Sequence, residues 1–223
     1  MSQITKKIAD INDEAGQAGT GFLYMNQFSF YVISDEDPES DLYTCWGGRF
    51  QINIPQGAII DSAILYTRNN MDDKMRANIF AHAIDQSENF VDNPHVWETA
   101  FRPRTTNFVE WSEDWLDPDY NPSPDIKDVI QEIISRPGWV ANNYLTLLLI
   151  ALVEPMEMAE IFSLFWMPDY APYVVIDYHV PIGAPVYHPN KKAFSGYHCF
   201  MEQYIKNKEA GVNAYKLPDG TLW

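Results

Sequence analysis

The most regular pattern of apolar and polar positions in the chain lies between residues 122 and 152. Apolar residues recur there at spacings of three and four, which predicts an amphipathic helix over about residues 124–135. The apolar stripe consists of Ile126, Val129, Ile130, Ile133 and Ile134. Ser123 is expected to cap this helix, and Asp125 to complement its positive end. The Arg-Pro-Gly sequence at 136–138 is expected to end it, because the residue before a proline is disfavoured in the α region.

Shorter stretches on both sides of this helix alternate between apolar and polar residues or are rich in β-branched and aromatic residues, which is typical of strands. The predicted strands are 28–33, 49–54, 58–67, 76–84, 106–111, 144–153, 161–166 and 173–178. The stretches 144–153 and 161–166 are expected to pair with each other. Together these elements predict an all-β fold, an antiparallel jelly-roll β-sandwich with one amphipathic helix and extended N- and C-terminal arms.

The two ends of the chain differ from its middle. Residues 1–21 have weak apolar periodicity and end in several glycines, so we expect an N-terminal arm or a short helix there. Residues 22–180 are assigned to the sandwich. Residues 181–223 are rich in proline and aromatic residues without a clean period, which predicts a C-terminal arm with a short helix near residues 196–208.

Charge is distributed unevenly along the 223 residues. The chain has 15 Lys and Arg against 31 Asp and Glu, a formal net charge of −16, and the acidic excess lies in residues 21–182. Residues 183–223 carry 5 basic and 3 acidic side chains. Nucleic-acid binders need clustered positive charge, so this distribution argues against direct binding of DNA or RNA. The basic tail either docks on an acidic body, its own or another copy's, or is simply solvated.

The sequence also predicts where the protein is made. Two cysteines far apart, Cys45 and Cys199, form no disulfide framework and suit a reducing cytoplasm. No apolar segment typical of a signal peptide follows the first residues. The longest apolar run, 145–153, is too short to span a bilayer, which requires about 20 residues. We therefore expect synthesis in the cytoplasm and no membrane contact.

Motifs for catalysis are missing from the sequence. It contains no Gly-x-Ser-x-Gly elbow, and neither cysteine has a spaced histidine and carboxylate set, so we expect no enzyme activity and no cofactor. One loop has alternating carboxylates of the kind that bind calcium. Its members are Asp35, Asp37, Glu39 and Asp41. Because the glycine and the distal glutamate of an EF-hand are missing, a solvated acidic loop is the favoured interpretation.

Seven tryptophans suggest sugar binding as an alternative, since aromatic side chains on a sandwich can stack on sugar rings. The candidates are Trp97, Trp111 and Trp115, which lie in or near predicted loops. Trp111 alternates with Val109 in a strand context, and aromatic residues of sandwiches lie more often in the core. Core packing is therefore the favoured interpretation of these tryptophans.

A series of motifs in fixed order resembles a known kind of module. They are Arg49-Phe50, the Ile-Pro-Gln-Gly-Ala turn at 54–58, the Ile-Asp-Ser-Ala strand at 60–63, and the helix with its Arg-Pro-Gly-Trp stop at 124–139. Together they resemble a jelly-roll β-sandwich module that recurs in bacteriophage structural proteins and bacterial surface proteins, and that is similar to carbohydrate-binding sandwiches and DNRLRE-like domains. The resemblance covers roughly residues 45–178. It implies a fold and brings no catalytic motif.

This resemblance and the two arms lead to a functional expectation. We expect a bacteriophage virion structural protein, such as a head decoration or cement protein, a head fibre, or a neck or tail appendage, that acts by protein–protein assembly. Its partners would be major capsid, tail or neck subunits and further copies of itself, with a trimer favoured. The assembly residues expected in the C-terminal arm are Tyr187, His188, Phe194, Tyr197, Phe200, Tyr204, Tyr215 and Trp223. The alternative is a carbohydrate-binding or host-surface adhesion module.

Overall fold

The computed structural model describes residues 1–19, 21–40, 42–69, 73–96, 98–115, 120–165 and 167–181. Over these residues the chain forms two antiparallel sheets and one α-helix around a shared hydrophobic core. This arrangement is a β-sandwich and confirms the predicted fold class. The expected C-terminal assembly residues lie outside the described part of the chain. None of the described helices is long and apolar enough to cross a membrane.

The elements are short and closely spaced. The strands are β1 (Ser2–Lys7), β2 (Glu14–Ala18), β3 (Leu23–Tyr24), β4 (Ser29–Ile33), β5 (Thr44–Gln51), β6 (Ile59–Arg68), β7 (Asp73–Ala81), β8 (Val109–Trp115), β9 (Tyr120–Pro122), β10 (Tyr144–Ala151), β11 (Met158–Phe162) and β12 (Tyr173–His179). The helix α1 spans Lys127–Ile134, and 3-10 turns lie at Ile11–Asp13 and Pro168–Tyr170. The smaller sheet has the order β1-β12-β6-β9. The larger sheet has the order β11-β4-β5-β10-β7-β8, with β2 paired to β5 and β3 to β2.

Successive strands in the middle of the chain alternate between the two sheets. β5 and β7 belong to the larger sheet and β6 to the smaller, so the connections cross the core as they do in jelly rolls. In β6, Ala63, Leu65 and Thr67 are buried, whereas the residues between them are partly exposed. This period of two is expected for a strand with one face on the core.

β10 is apolar almost throughout because both of its faces are covered. Leu147 and Leu149 belong to the core cluster between the sheets. On the other face, the Thr146 hydroxyl lies 2.7 Å from that of Ser87, in the long segment between β7 and β8. A strand covered on both faces is expected to have a continuous apolar sequence rather than an alternating one. The run at 144–151 is therefore correctly predicted as a strand.

Helix α1 buries its predicted apolar stripe, but its first turn differs from the expectation. The helix begins at Lys127, Ile126 occupies the N-cap position, and no side chain caps it there. Asp125 accepts a hydrogen bond from the Lys127 N–H, as expected for a carboxylate at the positive end of a helix. The predicted Ser123 cap is wrong, because this buried side chain bonds to β6 instead.

Three polar side chains take the place of a strand beside β6, and we call them the edge clamp. Ser123 accepts a hydrogen bond from the Leu65 N–H, and Asp125 accepts one from the Ala63 N–H. Gln131 accepts from the N–H of Ile60 and donates to the carbonyl oxygen of Ala58. β9 pairs only with residues 66–68 of β6, so the clamp satisfies backbone groups that the edge would otherwise leave open.

The first residues of the chain belong to the sandwich, contrary to the expected arm or helix. β1 pairs along its whole length with β12, from Ser2 opposite Tyr178 to Lys7 opposite Tyr173. β2 pairs with β5 in the larger sheet. The sequence pattern is weak here because β1 is a largely exposed edge strand, and β2 consists of small and polar residues that are all buried.

The expected pairing between 144–153 and 161–166 is also wrong. β10 pairs with β5 and β7, whereas β11 pairs with β4. Adjacent strands in sequence are adjacent in space only about two-thirds of the time, and a pattern of apolar residues does not specify the partner.

Two glycines inside β5 make room for aromatic rings. A Cβ on Gly47 would come within 2.6 Å of the Phe90 ring, and one on Gly48 within 2.3 Å of the Trp46 ring. Successive residues of a strand point to opposite faces, so a ring occupies each face of β5. Glycine in a strand often marks such a close approach. β5 begins at Thr44, before the predicted Arg49, because its first half has two glycines and therefore lacks the apolar alternation that predicts a strand.

Candidate functional site

The acidic loop uses the carboxylates of Asp35 and Asp37 to hold its own turns; Asp41 lies outside the described residues. Asp35 accepts hydrogen bonds from the Asp37 N–H and the Ser40 hydroxyl, and these bonds lower the pKa of the Asp35 carboxyl. Asp37 accepts from the Glu39 N–H. Bonds of this kind are typical of Asp in turns. Within the described ranges, no three His, Cys, Asp or Glu side chains are grouped so that they could hold a metal ion.

Trp111 and Trp115 are core residues, which removes them as sugar platforms. They are 0% and 3% exposed, and their ring centroids lie 5.3 Å apart. Both project from the buried face of β8, whose other residues are mostly exposed. Trp97 lies outside the described residues. A covered indole cannot stack on a ligand, so the sugar-binding alternative requires a different surface.

Arg102 organises the long segment between β7 and β8. It is 0% exposed, and its guanidinium lies 4.4 Å above the Phe90 ring. It donates hydrogen bonds to Ser87 Oγ and His82 Nδ1 at 3.2 Å each. It also donates to the backbone carbonyl oxygens of Glu88, Asn89, Asn93 and His95. We call this set of contacts the Arg102 network, and it ties an irregular segment to the sheet beneath.

His82 is the titratable member of this network. Arg102 can only donate, so Nδ1 of His82 accepts and the neutral ring carries its proton on Nε2. Burial, helped by the nearby Arg102 charge, lowers the pKa of His82 to about 4. The ring therefore stays neutral between pH 6.5 and about pH 4, where free histidine is already protonated.

Acid is expected to weaken the fold through His82. The pKa of His82 is near 6.5 in the unfolded chain and about 4 in the folded chain. The unfolded state thus holds more protons between these values, and the free energy of unfolding should fall by about 3 kcal/mol as the pH drops through this window. Urea titrations of the wild type and His82→Gln at pH 7 and pH 4.5 measure the difference. Equal losses in both proteins would contradict the prediction.

Comparison with the variant is needed because a second buried group titrates in the opposite sense. Burial raises the pKa of Glu14 to about 8, although the Leu164 N–H and the Trp46 indole N–H both donate to it. The stability that the protonated Glu14 contributes is present below pH 4.5 and is lost as the pH rises towards 8.

Burial also raises the pKa of Cys45 to about 11, so this thiol stays protonated and packs as a core side chain.

An open cavity of about 320 Å³ lies among β2, β3, β4 and β5. Its main lining residues are Gln17, Tyr24, Gln27, Ser29, Tyr31 and Thr44. We call it the tyrosine cavity. None of the side chains that line it is charged. Behind it, Glu160 on β11 accepts hydrogen bonds from the Ser29 hydroxyl at 2.7 Å and the Tyr31 hydroxyl at 3.4 Å.

No motif in the sequence predicts this cavity. Its signal is the segment 24–31, in which tyrosine, asparagine, glutamine and serine are mixed with phenylalanine. A strand on the core would alternate more strictly between apolar and polar residues. The pattern predicts only the strand 28–33 there, and it does not indicate which strands lie beside it to form a cavity.

A second surface feature is a set of exposed apolar side chains around β11. They flank the strand at both ends, and we call them the β11 strip. Its members are Phe28, Val153, Met156, Met158, Phe165 and Tyr170. At one end of the strip, the buried Phe162 ring contacts the rings of Phe28 and Tyr170 at centroid distances of 5.9 and 6.1 Å. Grouped exposed apolar residues mark interaction sites more often than single ones do.

The similarity found between this chain and known proteins is weak. No family model matches the chain, and no curated protein matches it. One solved structure with a similar part is the CBM22-1–GH10 pair of modules of endo-1,4-beta-D-xylanase 10B from Clostridium thermocellum, complexed with xylohexaose. The sequence identity is 6% and the TM-score 0.25; the match covers 78% of this chain and 27% of that chain. A likeness this weak carries no argument about function.

Proposed function

We propose that this chain is a structural protein of a bacteriophage-like particle and acts by protein–protein assembly rather than by catalysis. Its role would be that of a head decoration or cement protein, a head fibre, or a neck or tail appendage. Its partners would be capsid, tail or neck subunits and further copies of the chain, with a trimer as the favoured self-assembly. The observation that carries the proposal is the β11 strip.

The β11 strip has the character of a protein interface. Exposed methionine and phenylalanine side chains lie on both sides of one short strand at an outer position of the larger sheet. Interface cores are enriched in aromatic residues and methionine and depleted of charge. The strip has the aromatic and methionine side chains of this composition, and the acidic side chains between its members, Glu154 and Glu157, pair with Arg76 and Lys74.

The sequence of the C-terminal residues supports the same proposal. Residues 183–223 carry a small positive excess, whereas residues 21–182 are acidic, so attraction between copies would favour association. The aromatic residues of this segment could then bury apolar surface on a partner. Such an association should weaken with added salt, because exposed charges are screened over about 8 Å at physiological ionic strength.

Charged substitutions in the β11 strip test the proposal. The double variant Met158→Glu and Phe165→Glu is expected to shift the full chain from oligomer to monomer, and to lower its incorporation into particles. Loss of an interface anchor costs about 2 kcal/mol or more, roughly a 30-fold weaker association. Sedimentation equilibrium and quantitative mass spectrometry of purified particles are the measurements.

The matched control is Val91→Glu, which adds a charge at an exposed apolar side chain outside the strip. It should leave both the oligomer and the incorporation unchanged. Should the double variant remain as oligomeric as this control, the β11 strip is not the assembly surface. A wild-type chain that is monomeric and is never recovered with particles would defeat the proposal as a whole.

A further inference from the structure

We infer that the outer edges of β1 and β8 pair with each other between two copies of this chain, so that the copies join head to tail. The inference deepens the proposed assembly and rests on it for the partner, a second copy, but it uses a surface other than the β11 strip. Within the described residues, β1 is the outermost strand of the smaller sheet and β8 an outermost strand of the larger sheet. The two edges match in charge and in the spacing of their backbone groups.

The hydrogen bonds of β1 show which of its backbone groups are left open. The Ile8 N–H donates to the Pro172 carbonyl oxygen, in register with the ladder between β1 and β12. Backbone groups of an antiparallel strand point alternately to one side and to the other. Those that point away from β12 therefore belong to Gln3, Thr5 and Lys7. No group in the described part of the chain bonds to them.

The outer edge of β8 is open in the same way. The Leu152 N–H donates to the Arg76 carbonyl oxygen, so the backbone groups of Arg76 point towards the end of β10 and away from β8. Arg76 lies opposite Ser112, whose own backbone groups therefore point away from β7. Those of Glu110 and Asp114, two positions before and after Ser112, point the same way. β8 thus offers three outward residues, as β1 does.

The two edges carry opposite charges. The charged residues of β1 are both basic, Lys6 and Lys7, and those of β8 are all acidic, Glu110, Glu113 and Asp114. Asp114 forms an ion pair with an arginine of β7 at 2.7 Å, whereas the other four form no ion pair among the described residues. Lys7 donates to a backbone carbonyl oxygen, and its ammonium keeps further protons for a partner. The acidic and basic side chains that remain unpaired are therefore available to each other.

An antiparallel pairing with Lys7 opposite Glu110 aligns the charges and the backbone groups together. The outward groups of the two strands then face each other at all three positions, which is the arrangement of a hydrogen-bonded ladder. Both side chains are exposed, so they can meet on the outer face of the joined sheet. On the other face, Lys6 lies diagonally across from Glu113, within reach of long side chains. Opposite charges in such pairs stabilise a sheet.

The same charges oppose pairing between identical edges. Two β1 strands would bring the lysines of both copies together with no acidic side chain, and two β8 strands in this ladder would place Glu110 opposite Asp114. Each copy therefore uses β1 towards one neighbour and β8 towards another. Such head-to-tail contacts close into a ring when the rotation between copies allows it, and a ring of three copies would give the proposed trimer.

Charge reversal on each edge of the full chain tests the inference. Lys6→Glu with Lys7→Glu, and separately Glu110→Lys with Glu113→Lys, should each weaken self-association about tenfold or more in sedimentation equilibrium at low salt. The variant with all four substitutions should associate like the wild type, because its edges are again complementary. The β8 reversal brings the net charge closer to zero, so a general charge effect would strengthen its association instead. The control is Lys127→Glu, at an exposed lysine of α1, which should associate like the wild type.

A proline at position 5 tests the backbone ladder without changing the charge. The Thr5 N–H points away from β12, so Thr5→Pro removes one outward donor and leaves the pairing within one copy intact. It should weaken association about tenfold, whereas the control Thr5→Val, which keeps the N–H, should not. Hydrogen exchange of the outward N–H groups of Gln3, Thr5 and Lys7 should slow as the protein concentration rises. Thermal unfolding should show that all variants are folded.

Several results would overturn the inference: a wild type that stays monomeric, a fourfold variant that does not regain association, or Thr5→Pro associating as well as Thr5→Val. Protection of β1 that is independent of protein concentration would mean that its edge is covered within one copy, which also overturns the inference. If these variants have no effect while the β11 strip variant does, the inference fails and the assembly proposal stands. If strand pairing is found but the chain is never recovered with particles, the inference stands and the proposed function fails.

Discussion

Replacing Arg102 with methionine is expected to destabilise the fold by about 4 kcal/mol, the largest effect of any single substitution considered. Methionine fills a similar volume but donates no hydrogen bond. The backbone carbonyl oxygens that Arg102 now satisfies would stay buried without a donor. Each such group costs about 1–3 kcal/mol, reduced where water can enter the loosened segment.

Chemical denaturation at pH 7 measures this loss. The matched control is Arg136→Met, because Arg136 forms its ion pair with Asp85 on the partly exposed surface, with side-chain exposures of 35% and 39%. An exposed pair is worth about 0.2–1 kcal/mol. If Arg102→Met costs no more than Arg136→Met, the network does not hold the segment. Hydrogen exchange of the Phe90 N–H, which donates to the Asn12 carbonyl oxygen, would show whether the segment opens locally.

Alanine at Gly48 should cost about 3 kcal/mol, because the added Cβ lies 2.3 Å from the Trp46 ring. That ring is fully buried and donates its N–H to Glu14, so it cannot move aside without breaking this bond. Overpacking of a rigid core typically costs about 1–3 kcal/mol, and a contact this short should cost an amount near the upper end of that range. The midpoint of urea unfolding is the measurement.

Two neighbouring glycines give a graded comparison within the same sheet. The nearest side-chain atom to a new Cβ is 2.6 Å away at Gly47 and 3.0 Å away at Gly16. The cost of alanine should therefore decrease from Gly48 to Gly47 to Gly16. Equal costs at all three positions would mean that the distance to the nearest atom does not determine the cost, because the lower backbone entropy of alanine in the unfolded chain is stabilising and similar at each position.

The elements that could be predicted from the sequence are those with a long and regular pattern. β6 alternates because one face meets the core, and β10 is uniformly apolar because both faces are covered. The stripe of α1 is buried as expected. β1 and β2 could not be found in this way, since an exposed edge strand and a buried strand of small residues have no apolar period.

The start of α1 shows a different limit of sequence patterns. Ser123 has the residue type and spacing of a helix cap, yet its hydroxyl accepts from Leu65, far away in the chain. A local sequence motif shows which side chains can form hydrogen bonds. It does not show which partner the tertiary structure places beside them. The tyrosine cavity has the same origin, because its residues come from four strands whose association no local pattern encodes.

The edge clamp gives the smaller sheet unequal sides. At Ala58 and along residues 60–65 of β6, backbone groups that a further strand would need are occupied by Ser123, Asp125 and Gln131. On the opposite side lies β1, which pairs with β12 through one of its edges. A sheet with two open edges can pair edge to edge with further copies on both sides and so form a fibre. A sheet with one open edge can pair with a single further copy only. Three polar side chains thus block the addition of a strand on the β6 side, which restricts edge-to-edge pairing of the smaller sheet to its β1 side.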